Sequence, residues 1–234
     1  MKETTISLYD RADMRALLTG FPAQVEDAVR IARDATLVPL KGKISSIVVT
    51  GLGGSAIGGD LLRSYLSDQL DVPFLVNRHY SLPKFTGPST LVIVSSYSGG
   101  TEETIASYHE AVKRKAQVVC IASGGEIASL ARKNRQTLIL LPKGYPPRAA
   151  VGYSFFPMLL ALSRFKLIPT QDAAVRETVA LLRKLSVRYR LTGQKNQALE
   201  LARQLYNKVP VIYSSGERID AVNLRWRGGR CFAA

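Results

Sequence analysis

The residues best equipped for chemistry lie in one short stretch, Ser95-Ser96-Tyr97-Ser98-Gly99-Gly100-Thr101-Glu102-Glu103-Thr104. Hydroxyls and glycine backbone N–H groups together hold anions. They do so best where a helix begins, because first-turn N–H groups are unpaired and the helix dipole favours negative charge. The apolar run Leu91–Val94 precedes the stretch, and Ile105, Tyr108, Ala111 and Val112 follow at helical spacing. The stretch is therefore a strand-to-helix loop. A plainer role is also open: Thr101 caps the helix, Glu102 and Glu103 complement its dipole, and nothing binds.

Two further stretches invite the same question. Gly51-x-Gly53-x-x-Ala56 fits the relaxed dinucleotide-binding fingerprint, which wants an acid about 20 residues later. Here the second strand runs into Asn77-Arg78-His79 instead, although Arg78 could face an extra phosphate. No Gly-Lys-Ser/Thr follows, so the loop is not a P-loop, and glycines serving a tight turn remain the simpler alternative. Arg148 follows Pro146-Pro147 directly before a helix beginning near Ala149. A cation there opposes the dipole by roughly 0.3–1 kcal/mol, a cost an anionic partner would offset. Otherwise Arg148 is a surface residue held out by the prolines.

The elements that must position these loops alternate. Strands are expected at Ile44–Val49, Phe74–Val76, Leu91–Val94, Val118–Ile121 and Leu138–Leu141. Helices are expected from the first glycine loop through Leu66, at 101–115, at 125–134 and at 149–165. One or two more, broken at Phe21-Pro22, fill residues 8–36. Strands that are apolar throughout and alternate with helices mean an α/β fold, a parallel sheet covered on both faces. Ligands of such sheets sit at the carboxyl ends of the strands near a topological switch point. The first and third strands both end in Gly/Ser loops, which are expected to meet there. Residues 171–208 read as two more helices, lined by Val175, Val179, Leu182 and Leu185 and by Leu199, Leu201, Leu205 and Tyr206, with Gly193 between.

Composition narrows the function classes. The 234 residues are 46% hydrophobic, enough for a core, and no apolar run reaches the roughly 18 residues of a membrane span. The N-terminus lacks an apolar signal core. Cys120 and Cys231 suggest no disulfide framework, and a cytoplasmic location is expected. Net charge is +14; residues 171–234 carry 12 Lys+Arg against 5 Asp+Glu, half of the excess. No lysine block, zinc-finger or RNA-recognition signature accompanies it, so a surface serving anionic small molecules is favoured over nucleic acid. No zinc-type Cys/His spacing or Asp-rich loop is present, so no metal is expected.

Taken together, Gly-Leu-Gly-Gly-Ser, Ser-Tyr-Ser-Gly-x-Thr-x-Glu-Thr and Pro-Lys-Gly-x-Pro-Pro-Arg-Ala-Ala resemble the sugar isomerase (SIS) domain, and more narrowly the bifunctional phosphoglucose/phosphomannose isomerases. The similarity covers roughly residues 45–165. The resemblance implies a doubly wound SIS domain that interconverts glucose 6-phosphate or mannose 6-phosphate with fructose 6-phosphate through an enediolate, without a cofactor. It implies that Gly54, Ser55, Ser96, Ser98 and Thr101 hold the phosphate of a hexose 6-phosphate, and that Arg148 faces the enediolate. Gly100 stands where the family usually carries Asn. A homodimer is the expected assembly.

The implied domains are an N-terminal helical segment (1–40), a first SIS domain (41–168), a helical linker or arm (169–208) and the start of a second SIS domain (209–234). In the last, Val209–Tyr213 would be a strand, Ser214–Glu217 its loop and Ile219–Trp226 the start of a helix. The ending Gly229–Ala234 departs from the family pattern, which would continue to a general base and later a His and Lys; a truncation or frame change is expected. His79 and His109 match no catalytic position of the family. Glu102 and Glu103 would repel a phosphate, which favours a dipole role over a base role.

Overall fold

Two strands buried at every residue form the centre of the sheet: β1 (Ser46–Thr50) and β3 (Thr90–Ser95). In this computed structural model, residues 10–190, 196–216 and 218–230 are described. The strands β2 (Phe74–Asn77), β4 (Gln117–Ala122) and β5 (Thr137–Leu140) complete a five-stranded sheet in the order β2-β1-β3-β4-β5. Every pairing is parallel. The edge strands β2 and β5, each with one neighbour, are the ones that carry exposed residues, Leu75 and Leu140.

The two-residue period of the strands sorts the core into two layers. Ile47, Val49, Leu91, Ile93, Val119, Ile121 and Ile139 point to one face, with Leu62, Met158 and Leu162. That face carries α3 (Gly53–Tyr65) and α6 (Val151–Arg164), and α2 (Phe21–Asp34) packs on α6. Val48, Val92, Val94 and Cys120 point to the other, under Tyr108 of α4 (Glu102–Lys113) and Ile127 of α5 (Gly125–Lys133). The sheet is therefore doubly wound. Strand order reverses between β1 and β3, so their carboxyl ends form the switch-point crevice.

Outside these layers, α1 (Met14–Thr19) and α7 (Asp172–Arg188) flank α2, and α8 (Gln197–Leu205) and α9 (Asp220–Arg230) complete the described chain. Arg33–Asp172 (2.6 Å) and Arg183–Glu26 (2.5 Å) tie α7 to α2 across exposed surface.

Several expectations change. The N-terminal helices part at Gly20, and Pro22 sits in the first turn of α2, where its missing N–H costs nothing. Val112 is exposed, whereas Tyr108 and Ala111 are buried. The strand expected at Val209–Tyr213 does not form: 208–215 is irregular, and Val209, Val211 and Tyr213 are exposed. Among the described residues no strand lies beside it. Gly193, Glu217 and Cys231–Ala234 lie outside the described residues. Cys120 is a buried free thiol.

Candidate functional site

Three loops converge at the carboxyl ends of β1 and β3, and two glycines permit the approach. A Cβ on Gly51 would stand 2.6 Å from the Ser95 carbonyl oxygen, and one on Gly54 would stand 2.6 Å from that of Pro147. The first loop thus touches the second on one side and the Arg148 turn on the other. Within the second loop Gly99 takes φ 73°, and a Cβ there would overlap the Gly124 oxygen at 1.9 Å, so the β4–α5 connection presses in as well.

The hydroxyls of the site are ordered by bonds they accept. Ser55 Oγ accepts from the Tyr97 N–H (3.2 Å), and Ser98 Oγ accepts from the Gly100 N–H (3.3 Å). Ser96 Oγ accepts from the Gly99 N–H (3.2 Å) and donates to Thr101 Oγ1 (3.2 Å). A hydroxyl has one proton and two lone pairs. Ser55, Ser98 and Thr101 each use a lone pair in these bonds, which leaves each of them a proton to donate. Ser96 is 2% exposed and its proton goes to Thr101; it shapes the loop and polarises Thr101 rather than facing the crevice.

Thr101 occupies the N-cap position of α4, but its side chain makes no capping hydrogen bond. Glu102 and Glu103 stand in the first turn, and Glu103, foremost, pushes the Tyr80 phenol up.

Sequence reasoning assigned no role to Tyr97, which stitches the loops together. Its hydroxyl donates to the Pro142 carbonyl (2.7 Å) and accepts from the Tyr145 N–H (3.1 Å), and its carbonyl accepts from Ser123 Oγ (2.6 Å). Burial raises its pKa. The one visible signal was an aromatic ring amid hydroxyls and glycines.

Arg148 lies in the 3-10 turn Pro147–Ala149 ahead of α6. It borders a cavity of about 440 Å³ lined by Gly53, Gly54, Ile57, Arg78, Pro146, Pro147, Arg148, Leu224, Arg225 and Gly228. Neither a carboxylate nor a histidine is among these described lining residues. A larger cavity of about 610 Å³ lies at the opposite, amino end of the sheet, between residues 37–44 and 164–167, away from these loops.

Of the other candidate positions, Arg78 lines this cavity, whereas Asn77, His79 and His109 do not. His79 and His109 are exposed, and the His109 ring meets Tyr108 edge-on at 5.6 Å. Arg78 pairs with the buried carboxylate of Asp60. Asn77, where a dinucleotide fold would carry its acid, is buried and donates to the His79 carbonyl (3.0 Å). Among the described residues no group of His, Cys, Asp or Glu has metal-binding geometry, and no helix is long and apolar enough to cross a membrane.

No family model matches the chain. Two curated relatives are bifunctional phosphoglucose/phosphomannose isomerases. That of Caldicellulosiruptor bescii is 40% identical over 91% of this chain and 63% of its own length. That of Aquifex aeolicus is 32% identical over 85% of this chain and 57% of its own length. The chain thus spans somewhat under two thirds of the relatives it matches. Among solved structures, one described as a tagatose-6-phosphate ketose/aldose isomerase of Clostridium novyi matches with TM-score 0.60 and 18% identity, covering 90% of this chain and 57% of that one. The C-terminal domain of glucosamine-fructose-6-phosphate aminotransferase from Francisella tularensis matches with TM-score 0.58 and 15% identity, covering 89% and 63%. These two show a shared fold. Identity of 40% sustained over nine-tenths of the chain makes it similar to the bifunctional phosphoglucose/phosphomannose isomerases, and it shares the fold of the phosphosugar isomerase structures.

Proposed function

We propose that this chain holds the substrate of a phosphoglucose/phosphomannose isomerase, with the sugar phosphate at the β1/β3 crevice. The observation that carries the reading is the set of three hydroxyls, on Ser55, Ser98 and Thr101, each accepting a bond from the second loop and left with a proton to give. Ser96 acts through Thr101, and Gly54 offers a backbone N–H beside them. Such a cradle at the start of α4 suits the phosphate of a hexose 6-phosphate.

The Arg148 guanidinium is the proposed electrostatic partner of the enediolate that forms as a proton moves between C1 and C2. A fixed cation facing developing charge stabilises the transition state more than the ground state. The whole protein's reaction, aldose–ketose isomerisation of glucose 6-phosphate and mannose 6-phosphate, is proposed from the relatives. A homodimeric assembly and the division at residues 40, 168 and 208 into helical segment, SIS domain, arm and start of a second SIS domain are proposed from the sequence motifs alone.

One observation favours a second reading, a sugar-phosphate-binding module without turnover. The described lining of the cavity contains no carboxylate or histidine to serve as the base. The dinucleotide reading finds no such support, since Arg78 is held by Asp60 and Asn77 by the His79 carbonyl.

Purified protein titrated with glucose 6-phosphate, and assayed for fructose 6-phosphate, separates the readings. Binding with turnover selects the isomerase, and binding alone selects the module. Ser98→Ala and Thr101→Ala should each weaken binding by about 0.5–1.5 kcal/mol or more. Unchanged affinity in both variants would remove the hydroxyl cradle.

A further inference from the structure

The turn that carries Arg148 is half-buried, and two of its carbonyls find their hydrogen-bond partners on remote helices. The Pro146 carbonyl accepts from the Ala149 N–H (2.8 Å) and that of Pro147 from the Ala150 N–H (3.3 Å), inside the turn. The Arg148 carbonyl instead accepts from the Arg225 guanidinium of α9. The Ala149 carbonyl accepts from Gln24 Nε2 of α2 (2.8 Å), and Gln24 Oε1 accepts from the Gly152 N–H (3.0 Å).

Gln24 is only 3% exposed, and a Cβ on Gly152 would stand 2.7 Å from its Oε1, so this clip is closely fitted. α9 is itself anchored to α3. Asp220 pairs with Arg63, Ser64 Oγ donates to the Arg218 carbonyl (2.6 Å), and Ala221 is buried. Gly54 closes the third side of the turn through its contact with Pro147.

We infer that Gln24 and Arg225 are positioning residues for Arg148, bracing its turn from opposite ends of the chain so that the guanidinium faces the crevice in one orientation. The inference rests on the reading that Arg148 faces the enediolate. Neither residue belongs to the loops that resemble the family motifs. Both bonds go to backbone carbonyls of the turn, so they fix where the Arg148 Cα sits. A reacting group displaced by about 1 Å can lose on the order of a hundredfold in rate.

The test compares two ligands on the same protein: glucose 6-phosphate, and the phosphorylated aldonate one carbon shorter, whose carboxylate mimics the enediolate charge. Arg225→Ala, Arg225→Lys, Gln24→Met and Arg148→Ala are each titrated with both, and thermal midpoints are recorded alongside. Arg225→Ala should lose about tenfold or more in aldonate affinity while keeping its glucose 6-phosphate affinity and its midpoint. Arg225→Lys, which still donates to one carbonyl, should recover most of the loss. In the Arg148→Ala background, removing Arg225 should cost no further aldonate affinity, because its effect passes through Arg148.

Equal aldonate affinity in folded Arg225→Ala and wild type overturns the inference, as does a full additional loss in the Arg148→Ala background. A parallel loss of both ligands with a lowered midpoint also overturns it, since that is a structural role. Should Gln24→Met fail to fold, the Arg225 series alone decides. Wild type that binds neither compound sinks the isomerase reading itself; wild type that binds both, with Arg225→Ala unchanged, sinks only the brace.

Discussion

Leu91-Val92-Ile93-Val94-Ser95-Ser96-Tyr97-Ser98-Gly99 and Val209-Pro210-Val211-Ile212-Tyr213-Ser214-Ser215-Gly216 are written in nearly the same alphabet: aliphatic residues, then hydroxyls, then glycine. The first is a strand with no exposed aliphatic side chain and a loop stitched to its neighbours by Ser55, Tyr97 and Ser123. The second is irregular, with Val209 and Tyr213 90% exposed, so only the first is part of a core. Asn223 donates to its Ile212 carbonyl (3.3 Å) and to its Ser214 Oγ (2.8 Å). The difference is the company. β3 lies between β1 and β4, which satisfy its backbone on both sides, while among the described residues no strand lies beside 209–213. Strand-forming residues supply a preference for extended backbone; neighbouring strands turn that into a strand.

Paired substitutions put pressure on that contrast. Ile93→Ala removes a fully buried side chain and should cost about 2–5 kcal/mol in urea unfolding, whereas Val211→Ala should stay within about 0.5 kcal/mol. Comparable losses would mean that the second segment is packed after all. Gly99→Ala forces a side chain into φ 73° and onto the Gly124 carbonyl; strain of about 1–3 kcal/mol is expected, together with weaker sugar-phosphate binding. Gly216, with open space around it, should accept alanine silently. Tyr97→Phe removes a hydroxyl bonded to Pro142 and Tyr145 and should cost about 1–2 kcal/mol by thermal unfolding. No change there would show that loop packing alone holds the second and third loops together.

Pairing also hides Cys120, which lies opposite Val94 in the β3–β4 register. Burial pushes its thiol up from 9.0 to about 12. A folded value above the unfolded one means that this contribution is complete below pH 9.0 and is lost as pH rises toward 12. Stability followed by urea titration should therefore fall by up to about 1.4 kcal/mol per pH unit across that window. Cys120→Ala should flatten the part of the slope that belongs to the thiol. A wild-type slope identical to that of Cys120→Ala would show the thiol already accessible in the folded state.

Much of the sheet was legible because apolar runs such as Ile47–Val49 and Leu91–Val94 have no amphipathic period and are bounded by glycines and hydroxyls, a pattern that central parallel strands share with few other elements. The meeting of the Gly51–Ala56 and Ser95–Thr104 loops was legible too, since parallel alternation places both at the same end of the sheet. Less could be read at single positions. Ser96 and Ser98 are alike in sequence, yet one is buried and passes its proton to Thr101 while the other is exposed. Gln24 sits among Val25, Ala28 and Val29 as any polar helix residue might, and its partners are 125 and 128 residues away.

The sequence by itself determined which segments alternate as strand and helix, that their loops carry hydroxyls, glycines and one arginine, and hence that these loops gather at one edge of a parallel sheet. Those are properties of local residue order and of the short range over which backbone preferences act. Only the tertiary structure decided which hydroxyls keep a proton to donate, that Tyr97 joins the loops, that Arg78 is held by Asp60, and that Gln24 and Arg225 grip the Arg148 turn. Each of these depends on the direction of a hydrogen bond between groups far apart in the chain, and direction is settled only when packing brings donor and acceptor within about 3 Å of each other.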